Sequence, residues 1–130
     1  MKNKIQSKKC LVTGASRGIG KSIVKKLLES GALVVATASS QEGLDKLKKE
    51  FSKYDKSLIT FNADLSVSAE VEALCHSVID KIGDVDVLVN NAGVLNLELL
   101  EDSTEEILRK SFEINFFSAF ALCRFFSAAM

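Results

Sequence analysis

Short apolar runs alternate along this chain with segments whose apolar residues recur three and four positions apart, the pattern of strands interleaved with amphipathic helices. Cys10-Leu11-Val12 predicts a first buried strand, which runs directly into Thr13-Gly14-Ala15-Ser16-Arg17-Gly18-Ile19-Gly20. Gly18 to Ser30 then reads as a helix with Ile19, Ile23, Leu27 and Leu28 on one face, ended by Gly31. Leu33-Val34-Val35-Ala36 predicts a second strand, and Leu44, Leu47, Phe51 and Tyr54 keep helical register after it, completing a βαβ unit. Leu58-Ile59-Thr60-Phe61 predicts a third strand. Val71, Leu74, Val78, Ile79 and Ile82 then mark an amphipathic helix stopped at Gly83. Val85 to Val89 predicts a fourth strand, broken at the turn-forming residues Asn90-Asn91-Ala92-Gly93. The last helix is expected to open at a capping box, Ser103-Thr104-Glu105-Glu106, and to run apolar to Met130 with no stop signal.

This alternation predicts an α/β fold: a Rossmann-type, doubly wound parallel sheet of about four strands with helices on both faces. The whole of 1–130 is expected to form one dinucleotide-binding domain, incomplete and ending within its last helix. Right-handed crossovers bring the glycine turn and the Asn-Asn-Ala-Gly turn out at the carboxyl edge of the sheet, where such folds hold ligands.

Composition changes this picture little. With 130 residues, 47% of them hydrophobic, the chain can close a single core. The net charge of zero conceals an asymmetry: residues 1–56 carry thirteen basic and five acidic groups, residues 57–130 four and twelve. Lys25, Lys26, Lys46, Lys48, Lys49 and Lys53 fall on polar sides of predicted helices, so the basic half reads as solvated surface and no nucleic-acid partner is expected. Cys10, Cys75 and Cys123 are odd in number and have no metal-ligand spacing; they are expected to pack structurally in a reducing cytoplasm, with no metal site. Met1 to Lys9 lacks an apolar core, so no secretory signal is expected. Ile114 to Cys123, ten residues interrupted by Asn115, is too short to span a bilayer, and no membrane partner is expected.

Candidate chemistry begins at the glycine turn. A pyrophosphate needs converging backbone N–H donors, a helix N-terminus and no Cβ in the way, and Gly14, Gly18 and Gly20 are expected to supply that space. The alternative is a tight turn of small residues made for packing. About twenty residues on, where an acid would bond the ribose hydroxyl of NAD, stands Thr37-Ala38-Ser39-Ser40, with no carboxylate before Glu42. Those hydroxyls, with Arg17 as a phosphate partner, favour NADP(H) over NAD(H), unless Arg17 is simply a solvated turn residue.

Thr13 to Gly20, Asn90-Asn91-Ala92-Gly93, Asp64 in Asn62-Ala63-Asp64-Leu65 and Asn115 in Ile114-Asn115-Phe116 together resemble the short-chain dehydrogenase/reductase family in order and spacing. Ala36-Thr37-Ala38-Ser39-Ser40 looks most like the NADPH-dependent 3-oxoacyl-(acyl carrier protein) reductases within it. The resemblance covers the N-terminal half of such an enzyme. It implies that Gly14, Ser16, Arg17, Gly18, Ile19, Gly20, Thr37 and Ser39 hold the cofactor. It places Asp64 and Leu65 at the adenine, Asn91, Ala92 and Gly93 at the ribose and nicotinamide, and Asn115 in the catalytic proton relay, holding a water. From the residues alone, Asp64 could equally be a helix N-terminal acid near Ser66 and Ser68, and Asn115 a buried polar residue satisfied within its helix.

The family's reaction exchanges hydride between nicotinamide and a carbonyl or alcohol carbon, with a Tyr, a Lys and a Ser moving the proton. The one tyrosine here, Tyr54, is followed four residues later by Leu58, so the Tyr-x-x-x-Lys motif is absent. His76 has no matched Ser or Cys and reads as a surface or boundary packing residue. The reading is thus a cofactor-binding half, inactive alone and prone to aggregate or partly unfold; a non-catalytic nucleotide-binding or redox-sensing module is the alternative. Phe112, Phe116, Phe117, Phe120, Phe125 and Phe126 exceed what one helix face can bury. The resemblance implies a homo-oligomer contact through 104–130, with a membrane-surface helix as the competing idea.

Overall fold

The structure, a computed structural model, describes residues 4–130; Met1 to Asn3, at the start of the segment read for a secretory signal, lie outside the described residues. Four strands form one sheet in the order β3-β2-β1-β4: β1 Lys9–Thr13, β2 Leu33–Ala38, β3 Leu58–Asn62 and β4 Val87–Val89. Every pair is parallel, with Thr13 opposite Thr37 and Val12 opposite Val89. The doubly wound α/β architecture read from the sequence is therefore present.

Side-chain alternation along the central strands builds two cores. Cys10 and Val12 of β1 and Val34 and Ala36 of β2 face one way, toward helices α1 Gly18–Glu29 and α2 Gln41–Glu50. Leu11 and Val35 face the other way, toward α3 Ser68–Ile82 and a long C-terminal helix. Strands apolar on both faces are what a parallel sheet covered on both sides requires.

Several elements depart from the sequence reading. In α1 the fully buried stripe is Gly20, Val24 and Leu28; of the expected Ile19, Ile23, Leu27 and Leu28, Leu28 is buried, Ile23 and Leu27 pack half-buried against the core, and Ile19 is not inward. Ile19 is 74% exposed, and the inward contact at that level is made by Gly20, against the Gly14 carbonyl and the Asn91 side chain. Phe51 and Tyr54 follow α2 as its cap and a 3-10 turn rather than continuing it. β4 begins at Val87; just before it the Asp86 amide donates to the Lys9 carbonyl at 2.8 Å, while the Asp86 carboxylate accepts from the Lys9 amide at 2.8 Å and the Lys8 ammonium at 2.9 Å. Cys10 and Cys75 are buried as expected, whereas Cys123 is exposed, with the Asn90 amide Nδ2 3.3 Å from its Sγ.

The last helix also starts differently. Its N-cap is Thr104, whose hydroxyl accepts from the Ile107 amide at 3.2 Å, so Ile107 occupies the third position and the reciprocal Ser103–Glu106 box does not form. From there α4 Glu105–Phe112 continues through a π-helical turn, Glu113–Phe117, into α5 Ser118–Phe126. The continuous helix Glu105–Ala129 has 25 residues and a mean hydropathy of 1.2 in its most apolar window, enough by length and composition to cross a membrane. Its packing is that of a core helix along one edge only: Ser118, Leu122 and Phe126 are buried, while Phe112, Phe116, Phe117, Phe120 and Phe125 are exposed.

Candidate functional site

Thr13, the last residue of β1, organises the carboxyl edge. It is buried, and its Oγ1 accepts from the backbone amides of Asn91 at 3.1 Å and Ala92 at 3.0 Å. The Asn91 side chain returns the contact, its Nδ2 donating to the carbonyls of Thr13 at 3.0 Å and Gly14 at 3.1 Å. The two turns singled out in the sequence are thereby fastened into one wall.

The glycines divide their work differently from the expectation that all three clear space for a phosphate. A Cβ on Gly14 would lie 2.8 Å from Ala92 Cα, and one on Gly20 2.2 Å from the Gly14 carbonyl oxygen. Gly14 and Gly20 thus let the glycine turn, α1 and the Asn turn interlock. At Gly18 a Cβ would meet nothing within 4 Å, so that residue alone of the three faces open space, and its φ of +55° is a left-handed conformation that glycine adopts without strain.

Behind Gly18 the N-terminus of α1 has Arg17 as its cap residue, without a side-chain cap bond, and no acidic residue in its first turn. Free helical N–H groups beside open space are a standing anion site. At the end of β2, Thr37 is fully buried, and its hydroxyl is, among the described residues, the buried side-chain polar atom with no hydrogen-bond partner. A buried hydroxyl left unpaired costs about 1–3 kcal/mol, a cost that a water or ligand in the cleft would relieve.

These features border one cleft of about 350 Å³. Gly14, Ser16, Arg17, Gly18, Ile19, Gly20, Thr37, Ser39, Asp64, Leu65, Asn91, Ala92 and Gly93 all line it, so every cofactor candidate read from the sequence is brought to the same place. Ala38, Ala63, Val94 and Ile114 line it as well and went unread. For Ala38 and Ala63 the available signal was their place at or just beyond strand ends, where the Ala63 amide donates to the Ala38 carbonyl at 3.1 Å.

Asp64 closes a local turn: its Oδ1 accepts from the Ser66 hydroxyl at 2.7 Å and the Ser66 amide at 2.9 Å. Those bonds hold its carboxyl below the ordinary aspartate range. The local reading of Asp64 is therefore realised through Ser66, on a residue that still borders the cleft.

Asn115 sits in the π-helical turn and is exposed, which corrects the reading of a buried residue satisfied within its own helix. Its side chain spans to the loop after β4, with Oδ1 accepting from the Val94 amide and Nδ2 donating to the Val94 carbonyl, both at 2.8 Å. It does not itself line the cleft, but Ile114 beside it and Val94 beneath it do. Tyr54 carries Lys53 Nζ 4.8 Å from its ring centre, and His76 is exposed and edge-on to Phe125 at 5.4 Å. Neither lines the cleft.

A parallel, doubly wound sheet with a glycine turn, an open helix N-terminus and a second turn at its carboxyl edge defines a Rossmann-type α/β protein. The short chain dehydrogenase family profile matches residues 8–130, and the chain belongs to that family, whose members bind nicotinamide cofactors. It is 38% identical over 114 residues to an uncharacterised oxidoreductase of Methylorubrum extorquens, covering 87% of this chain and 46% of that protein. It is 37% identical over 120 residues to the 3-oxoacyl-[acyl-carrier-protein] reductase FabG of Vibrio cholerae, covering 92% of this chain and 48% of the reductase. Among solved structures, L-sorbose reductase from Gluconobacter frateurii, complexed with NADPH and L-sorbose, superposes with a TM-score of 0.90 at 28% identity, covering all of this chain and 50% of that one. The chain thus spans about half the length of the curated relatives it matches.

Proposed function

We propose that this chain is the cofactor-binding half of an NADP(H)-dependent oxidoreductase that transfers hydride between nicotinamide and the carbonyl or alcohol carbon of a small molecule. The observation that carries the reading is the unpartnered Thr37 hydroxyl, buried beside the cleft in a stretch with no carboxylate before Glu42. A ribose 2′-hydroxyl is bonded by an acidic acceptor, whereas a 2′-phosphate takes donors; Thr37, Ser39 and the Arg17 guanidinium are donors. The α1 N-terminus at Gly18 suits the pyrophosphate, Asp64 and Leu65 the adenine side, and Asn91 to Gly93 the nicotinamide side. Bound there, the nicotinamide supplies or accepts the hydride. Asn115 keeps the loop after β4 in place through Val94, and the family resemblance adds a water of the proton relay to its role. The NADPH complex of L-sorbose reductase and the similarity to the Vibrio cholerae reductase support the reading.

The 130 residues contain no Tyr-x-x-x-Lys, so we further propose that this chain alone binds cofactor weakly and turns over no substrate. Separate titrations with NADPH and NADH test the cofactor: tighter NADPH binding is expected, and equal binding or a preference for NADH overturns the assignment. Turnover above background by the purified chain would overturn its inactivity. The exposed phenylalanines of the 104–130 helix supply the homo-oligomer contact, checked by sedimentation of Phe116→Ser and Phe120→Ser variants, which should associate less. A reducing cytoplasmic location goes with the three free thiols, and fractionation of the host cell tests it. The second reading, a non-catalytic nucleotide or redox module, draws on the position of Tyr54 away from the cleft. Its redox form would fall to the exposed Cys123, since burial pushes the Cys10 and Cys75 thiols up to about 11.

A further inference from the structure

Gly43 lies in the first turn of α2 and has no left-handed φ to account for a glycine there. Glycine is a poor helix former, so its presence calls for a contact that a side chain would spoil. That contact is with the glycine turn. A Cβ at Gly43 would stand 2.9 Å from Ser16 Cβ and 3.1 Å from Ser16 Oγ. A serine Oγ can rotate away, but its Cβ moves only with the backbone, so the clash is relieved only by shifting the turn or the helix.

Both sides of the contact are anchored. The Gly43 amide donates to the N-cap Ser40 hydroxyl at 3.0 Å, which fixes the first turn of α2 immediately after Ser39. The Ala15 amide donates to the Thr37 carbonyl at 3.0 Å, which fixes the glycine turn against the end of β2. Ser16 on Gly43 therefore closes a ring between the wall that carries Ser16 and Arg17 and the wall that carries Thr37 and Ser39, all four of which line the cleft.

We infer that Gly43 is a positioning residue that sets the separation of these two walls, and with it the fit of the cleft for a ribose 2′-phosphate. The inference rests on the NADP(H) reading above and adds to it a residue that does not itself line the cleft. Gly43→Ala, Ser16→Gly and the double variant, made in the 130-residue chain and titrated separately with NADPH and NADH, test it. Gly43→Ala is expected to weaken NADPH about tenfold and NADH by a smaller factor. In the Ser16→Gly background the same change should cost much less, because the obstructing Ser16 Cβ is gone and only the Ser40 hydroxyl, at 3.3 Å, remains close. Unchanged NADPH affinity in Gly43→Ala, or a double variant in which the two losses multiply, overturns the inference. If the parent chain binds neither nucleotide, the cofactor reading fails on its own account. The wall contact is then read from hydrogen exchange at the amides of residues 15–20, expected faster in Gly43→Ala and restored in the double variant. Exchange left unchanged by Gly43→Ala overturns the contact as well.

Discussion

Thr13 and Asn91, 78 positions apart, are joined by two hydrogen bonds that run in the same sense, the Asn91 amide to the Thr13 hydroxyl and the Asn91 side chain to the Thr13 carbonyl. Thr13 ends β1 and Asn91 lies two residues past the end of β4, so the pair fixes how two neighbouring strands hand over to two turns.

Thr13→Val keeps the shape and removes the acceptor. The amides of Asn91 and Ala92 then lose their shared partner, and the protein should lose about 2 kcal/mol of unfolding free energy in a denaturant titration. Thr13→Ser, which retains the oxygen, should lose much less.

The three glycines of the turn should respond unequally. Gly20→Ala sets a methyl 2.2 Å from a carbonyl oxygen that cannot swing aside, and should abolish the cooperative thermal transition. Gly18→Ala meets open space and bears only the left-handed backbone cost of about 1–2 kcal/mol, so a cooperative melt should survive.

Acid should weaken the fold through Asp64 and Asp86. Asp64 is held below its ordinary value of 3.8 by bonds from Ser66, and Asp86 below the same value by bonds from Lys8 and the Lys9 amide. Both carboxyls are lower in the folded state, so their contribution is present above 3.8 and is lost as pH falls through the depressed folded values. Urea midpoints should drop below that pH, and more shallowly in Asp64→Asn and Asp86→Asn than in the parent.

The thiols should separate by burial. At mildly alkaline pH a disulfide reagent should label Cys123 quickly, while Cys10 and Cys75, raised to about 11 and buried, should react only once the chain is unfolded. Equal labelling rates in native buffer would contradict the packing described for β1 and α3.

The four strands, their alternation with helices and the meeting of the glycine and asparagine turns at one sheet edge were legible because period-two and period-3.6 patterns and turn residues are local signals, whereas Asp64 and Leu65 were placed by the family resemblance. What escaped is set by contacts distant in sequence. Whether Ile19 or Gly20 meets the sheet depends on the Gly14 carbonyl, which periodicity does not register. Ser103 and Thr104 are both good caps, and the choice between them is made by the geometry of the preceding loop. The partner of Asn115 is a backbone unit 21 residues earlier, invisible to any reading along its own helix. Ser16 and Gly43 likewise carry no mutual signal in the chain, since their relation is one of missing volume.

The strand order β3-β2-β1-β4 also imposes a schedule on the growing chain. β1 leaves the ribosome first yet occupies an inner place whose second neighbour is made last. At about 5–20 residues per second, the 78 residues between Thr13 and Asn91 take roughly 4–16 seconds to synthesise. Throughout that interval β1 has at least one bare edge, and the Gly20 face of α1 presses on a turn that the Asn91 side chain does not yet brace. The two walls of the cleft therefore exist together only once Asn91 has emerged.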